Sequence, residues 1–411
     1  MVKKGYKQTE VGVIPEDWEC VKIKDVATIS MCKRIFANQT STIGDVPFYK
    51  IGTFGKEADA YISSKLYVEY RNKYSFPQKG DILISAAGTL GRTVVYDGEK
   101  AYFQDSNIVW LDINKTRLCN EYLNQYYKVI KWASSEGSTI ARLYNGIIYA
   151  TYISLPPLPE QQRIVEALSD VDGMISSLEK LIAKYKSIKT ACLQQMFPQN
   201  GETVPRMRLP GFTGAWEQRK LGEMGQTYTG LSGKTKGDFG HGQARFVTYM
   251  NVFSNPISNP EMTEPIEIDS KQNEVEVGDV FFTTSSETPE EVGMSSVLLE
   301  KRGKIYLNSF CFGFRPSERI DSYYLAYMLR SESARAKITL LAQGISRYNI
   351  SKNKVMEIAV SLPSLDEQKM IGQYFCQLDN LITLHQRKLE KIQKIKQGMM
   401  QQLLTGKIRL V

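Results

Sequence analysis

Two short basic loops carry residue types that could neutralise phosphates and read the edges of nucleic-acid bases. Each combines lysine or arginine with asparagine, glutamine, serine or threonine, which donate to phosphate oxygens and pair with base edges. A solvated basic loop without a ligand is the alternative, and the sequence leaves both open. The candidates are Lys33, Arg34, Asn38 and Gln39 in the first half of the chain and Ser232, Lys234, Thr235 and Lys236 in the second.

Each half contains two further candidate segments. A glycine- or serine-containing segment follows a predicted strand and could let a phosphate approach the backbone, although a hairpin turn explains it equally well. A segment with arginine and tyrosine precedes the last predicted strand, and this pairing suits either a nucleic-acid groove or an ordinary surface loop. The candidates are Thr89, Arg92, Arg142 and Tyr144 in the first half and Ser285, Ser286, Arg347 and Tyr348 in the second.

The motifs that catalysis would require are absent from the sequence. There is no Asn/Asp-Pro-Pro-Tyr/Phe tetrapeptide of amino-methyltransferases, and Gly233-Lys234-Thr235 is not a complete phosphate-binding loop, because Tyr228 stands where a glycine is needed. Two histidines and six cysteines without a Cys-x-x-Cys pair offer neither a zinc site nor a disulfide framework. Residues 366–369 could resemble a nuclease cluster, but a helix start explains them better. We therefore predict no enzyme site and no metal site.

The elements that would position these residues are duplicated along the chain. Residues 154–164 and 361–371 are identical at seven of eleven positions, 207 residues apart. Trp18 and Trp216 are 198 residues apart, as are the Gly-Asp pairs that begin at Gly80 and Gly278. Self-similarity of this kind indicates a tandem repeat. The change in spacing places the length differences in the middle of each copy.

Each copy divides into a mixed lobe and a long helix. Short apolar runs bounded by glycine, aspartate or asparagine predict strands, and helical spacing predicts helices between them, so each lobe is expected to be α+β. The predicted strands are 81–85, 93–96, 107–111, 280–283 and 296–299, and the predicted helical segments are 121–132 and 322–340.

Apolar residues at alternating spacings of three and four predict two coiled-coil helices over residues 160–197 and 367–404. Each would be about 57 Å long at 1.5 Å per residue. A capping box, Ser364-Leu-Asp-Glu367, marks the start of the second helix. The seam residues are Leu168, Val171, Ile175, Leu178, Ile182, Tyr185, Phe375, Leu378, Ile382, Leu389, Ile392 and Met399, with polar interruptions at His385 and Lys396.

Composition limits the class of protein. The 411 residues are enough for two or three domains, and the net charge of +8 is compatible with a polyanionic partner. The polar N-terminus is not followed by an apolar segment, and no run of 18 or more apolar residues occurs. We therefore expect a folded cytoplasmic protein without a membrane partner.

The order of these motifs resembles the specificity (S) subunit of type I restriction-modification systems. The resemblance covers nearly the whole chain. It rests on residues 9–18, the strand and turn at 79–92, the Leu-Pro-Pro-Leu-Pro-Glu-Gln helix start at 155–161 with its repeat, residues 210–221 and the tail 401–409. Each piece is short, but their order, duplicated together with the helices, is specific.

This resemblance implies two similar target recognition domains related by pseudo-twofold symmetry and separated by two long antiparallel helices. Each domain would read one half of a bipartite sequence in double-stranded DNA, and the helix pair would set the spacer. It also implies that the chain is non-catalytic and binds no cofactor. S-adenosylmethionine is expected on two modification subunits, and ATP and Mg on the restriction subunits. A stand-alone DNA methyltransferase-like protein and a coiled-coil scaffold that binds no DNA are the alternatives.

The predicted domain boundaries follow from the repeat and the resemblance. They are target recognition domain 1 at 1–155, the first long helix at 156–197, a linker at 198–215, target recognition domain 2 at 216–362, the second long helix at 363–404 and a C-terminal tail at 405–411.

Overall fold

A computed structural model describes residues 4–130, 132, 142–199 and 201–411. The chain forms two compact units. Unit 1 comprises Met1–Ser177 and Leu389–Val411, and unit 2 comprises Leu178–Lys388. Each unit therefore combines one lobe with a part of both long helices.

The first half of the chain forms a lobe of short strands and helices, followed by a long helix. Its strands are β1 (Tyr6–Thr9), β2 (Gly12–Pro15), β3 (Glu19–Lys22), β4 (Ala27–Ser30), β5 (Val46–Tyr49), β6 (Tyr61–Ile62), β7 (Ile82–Ser85), β8 (Thr93–Val95), β9 (Tyr102–Phe103), β10 (Ile108–Ile113) and β11 (Tyr152–Leu155). Its helices are α1 (Ser64–Lys73), α2 (Asn120–Tyr127), α3 (Asn145–Ala150) and the first long helix α4 (Leu158–Gln195).

The second half repeats this plan. Its strands are β12 (Glu217–Lys220), β13 (Gly225–Thr229), β14 (Phe239–Val247), β15 (Thr263–Ile266), β16 (Val280–Thr283), β17 (Ser285–Ser286), β18 (Ser295–Val297), β19 (Ile305–Leu307), β20 (Cys311–Pro316), β21 (Tyr348–Asn349) and β22 (Ala359–Leu362). Its helices are α5 (Tyr249–Ser254), α6 (Ser322–Met328), α7 (Glu332–Thr339), α8 (Lys352–Met356) and the second long helix α9 (Leu365–Leu403).

The sheets of the two lobes have the same topology. The four-stranded sheets have the orders β4-β10-β7-β8 and β13-β20-β16-β18, and all their pairs are antiparallel. The three-stranded sheets, β6-β5-β9 and β15-β14-β19, each contain one parallel pair. Every residue of β7 and of β16 is buried, which explains why both read as continuous apolar runs. The α+β class and the duplication are thus confirmed.

The predicted strands are found within one or two residues, but two helical predictions were too long. Helix α2 ends at Tyr127, five residues before the predicted limit of 132. The segment 322–340 is broken into α6 and α7, because Ser331 stands between them and accepts a hydrogen bond from the Ala334 amide as the N-cap of α7. Apolar spacing continues across this break, so periodicity alone could not reveal it.

Both long helices are confirmed, shifted by one or two residues from the predicted limits. Ser364 caps α9 by accepting from the Glu367 amide at 3.4 Å. The reciprocal half of the predicted capping box is wrong, since the Glu367 carboxylate binds the Arg208 guanidinium instead. All the predicted seam residues are buried or half-buried.

The parts of α4 and α9 within each unit run antiparallel, and polar pairs fix their register. In unit 2, Lys189 donates to Asp379 at 2.6 Å, and Tyr185 stacks on His385 with ring centroids 5.7 Å apart. In unit 1, Lys396 pairs with Asp172. The two polar interruptions of the predicted seam therefore have specific partners on the facing helix.

The end of each long helix, or the residues that directly follow it, packs into the core of a lobe in its own unit. In unit 1, Met400, Leu403 and Leu404 belong to the core that contains Trp18. In unit 2, Met196 and Phe197 belong to the core that contains Trp216. Among the described residues, no helix is both long and apolar enough to cross a membrane.

Candidate nucleic-acid interface

The second lobe carries a cleft of about 500 Å³ beside the two-stranded sheet β17-β21. In this sheet Ser285 pairs with Asn349 and Ser286 with Tyr348. The sheet brings together two segments that are more than 60 residues apart in sequence. The cleft is lined by Tyr249, Met250, Phe253, Ser285, Ser286, Glu287, Glu291, Ser346 and Arg347.

Helix α5 forms one wall of this cleft. Thr248 caps the helix by accepting from the Asn251 amide, and the rings of Tyr249 and Phe253 stack one turn apart, 6.0 Å between centroids. The Tyr249 hydroxyl donates to the Ser285 carbonyl at 2.7 Å. This bond joins the aromatic wall to the strand on the other side.

Two arginines from the helical side support the cleft walls. Arg335 donates to the carbonyls of Glu290, Val292 and Gly293 at 2.8, 2.6 and 2.7 Å. Arg330 donates to the carbonyls of Ser295, Val252 and Phe253. Burial lowers the pKa of each guanidinium to about 10, so both remain charged at neutral pH.

The charged side chains at the mouth of the cleft differ in the contacts that they make. Glu291 accepts from the Ser286 hydroxyl at 3.2 Å. Arg347 lies over the Phe310 ring, 6.0 Å from its centroid. Within the part of the chain that the structure describes, neither Glu287 nor Arg347 forms an ion pair or a side-chain hydrogen bond. Both are exposed and available to a ligand.

Most candidate residues in the basic loop of the second lobe bind other residues of the same lobe. Lys234 pairs with Asp269 at 2.8 Å; this hydrogen bond raises the pKa of the lysine and lowers that of the aspartate. Thr235 donates through its amide and hydroxyl to Asp238, which lowers the pKa of that carboxyl. The Ser232 backbone is held by Gln272. Lys236 is exposed.

The first lobe has the corresponding backbone arrangement with different side chains. Ala87 bridges Arg142 in antiparallel fashion, and the Leu143 amide donates to Ala86 as the Ile350 amide donates to Thr284. By this match Arg142 corresponds to Asn349, not to Arg347. The Arg142 guanidinium lies 5.9 Å from the centroid of Tyr144, the exposed residue that precedes α3.

Arg92 and Thr89 lie on the turn after β7. The Arg92 guanidinium donates to the Ile51 carbonyl at 3.1 Å and packs over Phe54, 5.3 Å from the ring centroid. Its Nε is buried without a hydrogen-bond partner among the described residues. The Thr89 side chain is exposed. Arg92 is therefore partly structural, whereas Thr89 is free to contact a ligand.

The basic loop of the first lobe lies near the same turn. Arg34 pairs with Asp105 at 2.8 Å, and the neighbouring Gln104 accepts from the Ile51 amide at 2.9 Å. Lys33 lies over the Tyr74 ring at 5.1 Å. Gln39 accepts from the Phe36 amide and Asn38 is exposed. Arg34 and Arg92 are thus joined through residues 51, 104 and 105.

The structure brings together Ser285, Ser286, Arg347 and Tyr348 in one lobe, and places Arg142 and Tyr144 beside each other in the other. The basic loop of the first lobe is connected to the Arg92 turn, whereas that of the second lobe is held by Asp269 and Gln272. Sequence reasoning missed Tyr249, Glu287 and Glu291. Glu287 directly follows the predicted candidates Ser285 and Ser286, and its carboxylate is an acceptor that can pair with base amino groups.

The sequence matches the family described as Type I restriction modification DNA specificity domain twice, over residues 15–188 and 214–394. These two matches cover most of the chain. The chain belongs to this family. The two matched ranges coincide with the two copies of the repeat, each a lobe and most of its long helix.

Individual relatives agree with the family assignment. The chain is 55% identical over 173 residues to a type I restriction enzyme specificity subunit of Haemophilus influenzae, and this alignment spans 42% of the chain and 45% of that protein. It is 25% identical over 435 residues to the MjaX specificity subunit of Methanocaldococcus jannaschii, covering 99% of this chain and 97% of that one. The type I system S subunit of M. genitalium has a similar fold, with a TM-score of 0.53 at 14% identity, covering 94% and 96% of the two chains.

Specificity subunits are the non-catalytic components of type I restriction-modification systems, and this chain is one of them. The predicted absence of an enzyme site agrees with this membership. Among the described residues, no group of three or more histidine, cysteine, aspartate or glutamate side chains could hold a metal ion.

Proposed function

We propose that this specificity subunit reads double-stranded DNA, with each lobe recognising one half of a bipartite target. The observation that carries the proposal is the matched backbone bridge, Ala87 with Arg142 and Ser285 with Asn349, which presents different side chains in the two lobes. One scaffold with two sets of contacts suits two different half-sites. Direct reading depends on such side chains reaching base edges in the grooves.

The long helices are proposed to set the number of unread base pairs between the half-sites and to dock two modification subunits. Their antiparallel pairing within each unit, fixed by Lys189 with Asp379 and by Lys396 with Asp172, supports a spacer role for the helices. Methylation of a base in duplex DNA requires its extrusion from the stack, so the lobes would hold the DNA while a modification subunit receives the adenine.

We assign the cofactors of the system to the partner subunits. S-adenosylmethionine would be bound by the modification subunits, and ATP and Mg by the restriction subunits that join them in the cytoplasm. The chain itself would contribute recognition and assembly, which agrees with the absence of methyltransferase and ATPase motifs from its sequence.

Mapping of methylated adenines across the genome, with and without this chain, tests the proposal. The expected result is a bipartite motif that disappears when the chain is deleted and returns when it is supplied again. Adenine methylation that is unchanged by the deletion would contradict DNA reading and favour a scaffold role.

A further inference from the structure

One carboxylate and one guanidinium that line the cleft of the second lobe have no ion-pair or side-chain hydrogen-bond partner among the described residues. Glu287 and Arg347 line the same space of about 500 Å³. They do not pair with each other, and the described part of the chain supplies no other ion-pair partner for either. The cleft therefore offers hydrogen-bond acceptors and a planar set of donors to one ligand.

Both side chains project from restrained backbone. The loop that carries Arg347 is closed by two hydrogen bonds between Gln343 and Asn349, at 2.9 and 2.8 Å. Gly344 has φ +141°, and a Cβ there would lie 2.1 Å from the Arg347 carbonyl oxygen, so only glycine fits. On the opposite side, Arg335 holds three carbonyls of the segment that follows Glu287. The backbone on both sides of the cleft is thus restrained.

The charges indicate which part of DNA this cleft can face. Glu287 and Glu291 would repel phosphates, so a DNA-facing cleft that carries them must meet the bases. In the major groove guanine presents the acceptors N7 and O6, which arginine binds in bidentate fashion. Cytosine presents its N4 amino donor, which a glutamate accepts. A single C·G base pair therefore complements the two free groups.

We propose that Glu287 and Arg347 read one C·G base pair in the half-site of the second lobe, with Arg347 on the guanine and Glu287 on the cytosine. This inference rests on the proposed function and adds the identity of one base pair to it. In the first lobe Thr89 follows the end of its strand β7 by four residues, as Glu287 follows the end of β16. That position has a hydroxyl instead of a carboxylate. The first lobe therefore has no glutamate there to read a cytosine, and this contact is expected in the second half-site alone.

The test uses the complex reconstituted from the full chain and its modification subunits, with methylation measured on DNA in which each half-site is randomised. The wild type is expected to require C·G at one position of the second half-site. Glu287→Gln replaces the charged acceptor by a neutral amide that also presents a donor and suits adenine, so it should lower the preference for this pair about tenfold or more. Arg347→Lys should do the same at the same pair, because lysine keeps the charge but not the bidentate geometry.

Glu290→Gln is the matched control, since Glu290 is an exposed carboxylate of the same turn that does not line the cleft. It should leave both half-sites unchanged, and the first half-site should be unchanged in every variant. Unchanged requirements at the other positions of the second half-site show that the second lobe of each variant is folded.

A second half-site without a C·G pair, or one that neither variant relaxes, would overturn this inference. In both cases methylation that depends on the chain would persist, so the proposed function would stand. Relaxation at an A·T pair would also overturn it. Complete independence of methylation from the chain would overturn both the inference and the proposed function.

Discussion

The guanidinium of Arg409 donates to both carboxylate oxygens of Glu160, at 2.7 and 2.8 Å. The carboxylate also accepts from the indole of Trp18 at 2.9 Å, and Arg409 binds Asp17 on its other side. Unit 2 contains the corresponding pair, Arg208 with Glu367. In unit 1 the tail after α9 supplies the arginine that binds the buried glutamate. In unit 2 the linker after α4 supplies it.

Removal of the arginine from this pair is expected to destabilise unit 1. Glu160 is only 3% exposed, so Arg409→Met would leave a buried carboxylate without its cation, at a cost of about 3 kcal/mol. Urea unfolding followed by tryptophan fluorescence would measure the loss. Arg206→Met, which breaks an exposed pair with Glu202, serves as the control and should have little effect. Equal effects of the two changes would contradict a special role for the buried pair.

The same contact predicts a dependence of stability on pH. Hydrogen bonds from Arg409 lower the pKa of Asp17 below its unfolded value of about 4. A lowered carboxyl pKa contributes stability above the unfolded pKa and loses it as the pH falls through the folded pKa. The melting temperature should therefore drop more steeply in acid for the wild type than for Asp17→Asn. Identical acid profiles would show that the contact contributes nothing.

Arg335 is expected to hold the cleft segment in place. Its replacement by methionine leaves three carbonyls without a donor and should cost about 3 kcal/mol. Amide hydrogen exchange in residues 286–294 should become faster. Arg302→Met, at an exposed arginine paired with Glu261 and Glu300, is the control and should leave exchange there unchanged. A wild-type exchange rate in Arg335→Met would show that other contacts fix the segment.

Exchange of one lobe is expected to change one half of the methylated motif. Replacement of residues 20–150 with the equivalent segment of a different specificity subunit should alter the half-site of the first lobe alone. Adenine methylation mapping of the chimaera gives the result. If both halves of the motif changed together, the two lobes would not read DNA independently.

Insertion of seven residues into both long helices should lengthen the spacer. Seven residues are two helical turns and about 10 Å, or roughly three base pairs, and they keep the spacing of the seam. The insertions belong after Ser177 in α4 and after Lys388 in α9. The mapped motif should contain about three more unread positions, whereas insertion into one helix alone should disrupt the pairing. An unchanged spacer in the double insertion would contradict the spacer role.

Much of the fold could be predicted because local patterns carry it. The buried strands β7 and β16 are continuous apolar runs, and the long helices follow regular seam spacing over nearly forty residues. The break at Ser331 could not be predicted in the same way, since it interrupts no apolar spacing. The break is defined by the cap that Ser331 forms at the start of α7.

The candidate site was less predictable because its residues are placed by contacts between distant segments. The sequence does not show that Lys234 has an ion-pair partner, because that partner, Asp269, lies 35 residues away. The backbone bridge aligns Arg142 with Asn349, so the position that carries an arginine in one lobe carries an asparagine in the other. The residue types in the loops indicated that they could bind DNA. Which group pairs with each charged side chain depends on the folded structure.

The division of the chain into units has a consequence for its synthesis on the ribosome. Unit 2 is continuous in sequence, so it can fold as soon as its own residues have emerged, whereas unit 1 needs both ends of the chain. The core around Trp18 stays incomplete until Met400, Leu403 and Leu404 are made. The lobe that is translated first is therefore the last to be completed, and a chain that ends before Met400 lacks core residues of its first domain.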